Sequence, residues 1–291
     1  MLRLNLIFYF SPTSFDATLF FNPPQVVFSG KCCILCAVPE ISIKAEEIFH
    51  LGSFPVTNAL LVSVLVLVFL VTVAVIFKSK LSIIPGKLQS IFELIIEQVL
   101  GIMEPLMGSM KKAEMYLPLI ATIFFFVLFS NWAGLLPGFG SVGLYEPHGE
   151  ETIFVPLLRA PSSDLNFTLA LALISIFSVN IFGVLAIGLK GHLKKFFIFN
   201  DPILFFVGLL ELLSEGVKIV SLAFRLFGNV FAGEVLLAII GVLAPYFLPL
   251  PFIFMEVLVG VIQAFIFSML TLVFVSMSIV GHEEGAHAEA H

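Results

Sequence analysis

A chain of 291 residues that is 59% hydrophobic and only 12% charged is not composed like a soluble domain, where about a quarter of residues carry charge. With a mean hydropathy of +1.12, most of it belongs in a bilayer. The net charge of −6 offers no nucleic-acid surface, and it does not set orientation, which follows the placement of Lys and Arg.

Residues 1–39 read as a variable N-terminal extension. Pro23, Pro24 and Lys31 interrupt the apolar run before the ~18 clean residues of a span accumulate. Cys32, Cys33 and Cys36 share the stretch "KCCILC". With no second CxxC and no histidine pair nearby, they predict neither a metal site nor a complete disulfide set.

Five apolar segments then follow, at 56–77, 117–136, 165–189, 203–243 and 252–280. Each is long enough to cross a ~30 Å hydrocarbon core as a helix. Between the first two lies "KLQSIFELIIEQVLGIMEPLMGSMKK", with Glu93, Glu97, Glu104 and Lys111 at spacings of four and seven. That pattern predicts an amphipathic helix on the membrane surface, kinked or broken at Pro105. Asp164, ahead of the third segment, is a good N-cap. The sequence thus predicts an all-α integral membrane protein with five crossings and one interfacial helix.

Lysines set the expected orientation. Lys78, Lys80, Lys87, Lys111 and Lys112 lie between spans one and two, and Lys190, Lys194 and Lys195 between three and four. The positive-inside rule then puts the N-terminus outside and the C-terminus in the cytoplasm. No internal repeat appears, against the inverted-repeat plan of many secondary transporters.

The last two segments are too long for the membrane. Segment 203–243 would reach ~60 Å as a helix, at ~1.5 Å per residue, so it must lie obliquely or kink at Gly216 or Gly228. Joined through "APYFLPLP", the two predict a tilted helical hairpin.

These helices also carry the polar residues. Glu211, Lys218 and Arg225 recur every seven residues, and Ser214, Ser221 and Asn229 fall near the same face. Glu234 is half a turn away in azimuth from Arg225 and ~13 Å along the axis, so a pair between them within one straight helix is not expected. On the last helix Glu256 and Gln263 share a face. Glu215 and Lys218 also fit a wet helix end with snorkelling side chains, Gln263 fits interhelical glue, and Asn131 and Asn180 read as structural. Arg225 resists such readings, because a cation at the middle of a span costs ~2.5–3.5 kcal/mol or more. Arginine cannot relay protons by losing one, whereas carboxyl groups in an apolar setting can.

In "RLFGNVFAGE" (225–234), "VKIVSLAFRLFGN" (217–229), "IQAFIFSMLTLVFVSMSI" (262–279), "LFSNWAGLLPGF" (128–139), "PSSDLNFTLALAL" (161–173) and "IFHLGSFPVTNALL" (48–61), the chain resembles subunit a of the F-type ATP synthase, bacterial type. The similarity covers about 40–282, read as the membrane domain, and leaves 283–291 as a polar tail. It implies a non-catalytic, proton-conducting stator subunit in a bacterial plasma membrane, without a cofactor. Its implied partners are the c-ring, the b-subunit peripheral stalk and the rest of the F1Fo complex.

It implies that Arg225 faces the c-ring, with Asn229 and Ser221 beside it. By the same resemblance Glu234, Glu256 and Gln263 line the half-channel by which protons arrive, and Asp164 and Asn166 lead into it. Protons leave past Glu215 and Lys218. Many members carry histidine at one of the positions of Glu234 and Glu256; here both are glutamate. The competing reading is a secondary transporter or ion channel working alone, with Arg225 as an anion site.

Overall fold

The computed structural model describes residues 47–51, 54–79, 86–136, 143–148, 151–156, 158–188, 202–243 and 247–280. The N-terminal extension with its cysteines, the polar tail, Lys80, Lys190, Lys194 and Lys195 lie outside the described residues. A short antiparallel hairpin, β1 (Glu47–Leu51) and β2 (Phe54–Thr57), precedes α1 (Asn58–Ser79). Next come α2 (Lys87–Met107) and α3 (Met110–Ala133). A second hairpin, β3 (Gly143–His148) with β4 (Glu151–Pro156), and a 3-10 turn at Pro161–Ser163 lead to α4 (Leu165–Ile187). Two long helices close the described chain, α5 (Pro202–Leu243) and α6 (Pro249–Val280).

This is an all-α integral membrane protein: α1, α3, α4, α5 and α6 are long and apolar enough to span a bilayer. Many of their residues are β-branched or aromatic and favour strands in water. In hydrocarbon a lone segment must satisfy every backbone group internally, and that selects the helix. α1 exposes apolar side chains for most of its length, as a lipid-facing helix does.

The amphipathic α2 lies where the charge spacing places it, with Gln89 Nε2 donating to Glu93 Oε1 at 2.8 Å on its polar side. Two expectations there need correction. Pro105 does not break the helix, which continues to Met107, although proline there gives up one backbone hydrogen bond and crowds the carbonyl of Gly101. Lys111 belongs to α3, because the chain turns at Gly108 and Ser109. Gly108 takes the left-handed conformation (φ 73°) and its N–H closes on the Glu104 carbonyl at 2.9 Å, a position where a side chain would be strained. Ser109 then caps α3 by accepting from the Lys112 N–H.

The core lies among α3, α4, α5 and α6. Val127, Ala172, Leu222, Leu226, Ala264 and Phe267 are essentially closed to solvent and pack in one cluster. A second cluster ties Met103 and Met107 of α2 to Tyr116, Ile120 and Leu272, which fixes the interfacial helix to the bundle. α5 has 42 residues and runs unbroken through Gly216 and Gly228, ~63 Å at ~1.5 Å per residue. Only its inner stripe, including Leu222, Ala223 and Leu226, is buried; Leu213, Val217, Val220 and Phe224 face outward.

Candidate functional site

Arg225 is on the outward side of α5, next to the inner stripe. Its Nη2 approaches Ser221 Oγ at 3.5 Å, the long end of hydrogen bonding. Among the described residues no carboxylate pairs with it. A shallow apolar groove of about 530 Å³ runs along the same helix from Leu209 to Ser221.

Toward the N-terminus of α5, Lys218 Nζ donates to Glu215 Oε1 at 2.8 Å. One turn of helix brings i and i+3 together, and the ammonium also sits 5.2 Å from the Phe274 ring centroid on α6, a cation–π distance. Toward the C-terminus, Glu234 Oε1 lies 3.6 Å from Arg159 Nε, and Glu234 Oε2 is buried with no hydrogen-bond partner among the described residues. The absence of an Arg225–Glu234 pair agrees with their opposite azimuths.

Arg159 comes from the segment between β4 and α4, which is buried although it is irregular. Ser162 and Ser163 are closed to solvent, and Arg159 and Asp164 nearly so. The segment holds its own polar atoms: Arg159 Nε donates to Ser163 Oγ at 3.0 Å, and Asp164 Oδ1 accepts from the Asn166 N–H at 3.0 Å. The second contact is the expected N-cap, worth about 1 kcal/mol. Asn166 itself is exposed in the first turn of α4.

Between these elements α6 brings Glu256 and Gln263 against α5 and α3. Asn229 Nδ2 donates to Gln263 Oε1 at 2.7 Å, and Asn131 Nδ2 to the Gly260 carbonyl at 3.2 Å. Asn131, Asn229, Glu256 and Gln263 line a cavity of about 10 Å³, room for about one water molecule. Gln263 Nε2 and Asn131 Oδ1 are buried there with no partner among the described residues, so the cavity offers a donor and an acceptor. The Glu256 carboxylate occupies the space that a Cβ at residue 233 would need; glycine at that position brings it against the α5 backbone.

The structure therefore joins Asn229, Gln263 and Glu256 around one cavity, with Glu234 next to Gly233. It places Asp164 in the Arg159 turn and sets Glu215 and Lys218 apart, ~24–28 Å from Glu234 along α5 at the helical rise. Arg159 drew no attention in the sequence, and Asn131, read there as structural, does bond one helix to another through the Gly260 carbonyl while also lining the cavity. Asn180, also taken as structural, bonds within its own helix to the Ile176 carbonyl at 2.9 Å. Among the described residues no group of three or more His, Cys, Asp or Glu could hold a metal ion.

Fold and site together define a multi-pass membrane protein with polar clusters strung along one long helix. Comparison with known proteins gives the family. The model of the ATP synthase A chain family matches residues 59–276. ATP synthase subunit a of Moorella thermoacetica is 34% identical over 82% of this chain and 99% of its own length. That of Campylobacter concisus is 39% identical over 75% and 89%, and that of Mycobacterium ulcerans 35% over 78% and 89%. The chain belongs to the ATP synthase A chain family and is a subunit of the membrane sector, Fo.

Proposed function

We propose that this chain is the proton-conducting stator subunit of the rotary motor, with two offset aqueous half-channels that meet the c-ring on either side of Arg225. The observation that carries this reading is the order of polar groups along α5. Lys218 and Glu215 lie ~10–15 Å before Arg225, and Glu234 lies ~13 Å after it at the helical rise. The outward placement of Arg225, with no carboxylate beside it among the described residues, fits a partner carboxylate supplied by the rotor.

In this mechanism a proton from outside reaches the rotor through the cluster of Asp164, Asn166, Glu234, Glu256, Asn229 and Gln263. It neutralises a rotor carboxylate, which can then face lipid; ionised, that group would be too costly to move there. After nearly a full turn the carboxyl reaches the other side of Arg225, ionises, and releases its proton past Glu215 and Lys218. Arg225, with Ser221 beside it, attracts the ionised form and keeps the half-channels apart. The membrane potential supplies ~2.3 kcal/mol per charge per 100 mV. α5 and α6 lie obliquely, since the ~63 Å of α5 far exceeds a ~30 Å core, and the outward groove of α5 meets the ring. The b-subunit stalk holds the stator, with the N-terminus outside and the C-terminus in the cytoplasm.

Single cysteines test this, in an assembled enzyme lacking the three native ones. A cysteine at the exposed Asn166 should react with a membrane-impermeant thiol reagent only from outside, and one at Ser214 only from the cytoplasmic side. Labelling of both from the same side would reject the two half-channels.

A further inference from the structure

We propose that Arg159 is a positioning residue that holds the Glu234 carboxylate in the inlet path; this rests on the reading of Glu234 as an inlet residue. The Arg159 side chain is 7% exposed, and its Nε is 3.6 Å from Glu234 Oε1. A cation buried this far is stable only among compensating groups, and Glu234, whose side chain is 35% exposed, is one of them. The guanidinium is anchored: Nε donates to Ser163 Oγ at 3.0 Å, and Ser163 Oγ donates to the Ala160 carbonyl at 2.9 Å. The anchor itself is wedged, because α3 approaches so closely that a Cβ at Gly134 would collide with Ala160.

Glu234 needs such an anchor. Among the described residues, the charged groups around it are Arg159 from the turn and, from α6, Glu256, whose carboxylate rests against Gly233. Two carboxylates at neighbouring positions repel when both are ionised. A fixed cation on the far side of Glu234 offsets that repulsion and keeps its carboxylate oriented. Arginine keeps its proton at any physiological pH, so Arg159 orients the relay without joining it.

The test is a double-mutant cycle on potential-driven proton conduction by assembled Fo in vesicles, with Arg159→Gln, Glu234→Gln, the double variant and Arg159→Lys. Each Gln variant should conduct at least about fivefold more slowly. The double variant should be no slower than Glu234→Gln alone, and Arg159→Lys should conduct faster than Arg159→Gln. If Arg159→Gln fails to assemble because Glu234 is left unpaired, adding Glu234→Gln should restore assembly. Failure to assemble in both backgrounds would overturn the proposal. So would an equal factor lost in both backgrounds, or equal loss in the Lys and Gln variants, with the inlet reading left standing. Unchanged conduction by Glu234→Gln would instead remove Glu234 from the path, and Arg159's role with it.

Discussion

The two ends of the polar series on α5 are built differently. Glu215 and Lys218 pair within a single helix, three residues apart and 2.8 Å from nitrogen to oxygen, with the Phe274 ring contributed from α6. Beyond Arg225, the groups around Glu234 and Glu256 come from α3, α5, α6 and the buried turn before α4, and those of α3, α5 and α6 enclose a cavity. The first is a pair that helical spacing alone brings together. The second exists only when several elements pack correctly; both ends keep a buried carboxylate oxygen unpartnered among the described residues, and the second adds Asn131 Oδ1 and Gln263 Nε2. Self-contained charge pairs tolerate loss, whereas an assembled polar site depends on every wall.

Substitutions along the chain sharpen that contrast. The largest effect is expected from Gly134→Val, whose side chain would drive into the Ala160 backbone and side chain. Overpacking of this kind costs about 1–3 kcal/mol and displaces the whole Arg159 turn, so the yield of assembled complex and its thermal midpoint should both fall. Gly233→Ala should act on function with little loss of assembly. The obstacle there is the flexible Glu256 carboxylate, which can swing away, and proton conduction should drop about tenfold, equivalent to 1.4 kcal/mol in barrier.

Asn131→Ala removes a buried hydrogen bond to α6, worth about 1 kcal/mol, and enlarges the cavity. Conduction should fall several-fold, less than for Gly233→Ala. The smallest effect is expected from Lys218→Gln with Glu215→Gln. With both charges removed the pair is neutral, conduction should stay within about twofold, and stability should change by about 1 kcal/mol or less. An equal loss at the two ends would erase the contrast.

Much of the fold was legible because hydrocarbon leaves an apolar segment little choice but a helix. The five spans lie where apolar runs of bilayer length predicted them, and Asp164 caps α4 as its residue type suggested. Span ends were less legible. α3 begins at Met110, well before the apolar run at 117, because Gly108 and Ser109 terminate one helix and start the next within two residues.

In the site, Arg225, Glu234, Glu256 and Gln263 announced themselves as polar residues in apolar helices. Arg159 did not, since a cation in a loop is ordinary until the loop proves to be buried. Gly233 was equally silent: its role depends on Glu256, brought to it by the packing of another helix.

The central claim is that Arg225 separates two wet paths, and passive proton flux measures that separation directly. Assembled Arg225→Ala enzyme should make no ATP from a proton gradient, and its membrane sector should leak protons when no rotation is driven. Arg225→Lys keeps a cation but offers a more strongly hydrated head whose proton can be lost on burial, and it too should fail to couple. If assembled Arg225→Ala enzyme instead makes ATP and holds the gradient, the arginine is structural and the two-path account is wrong.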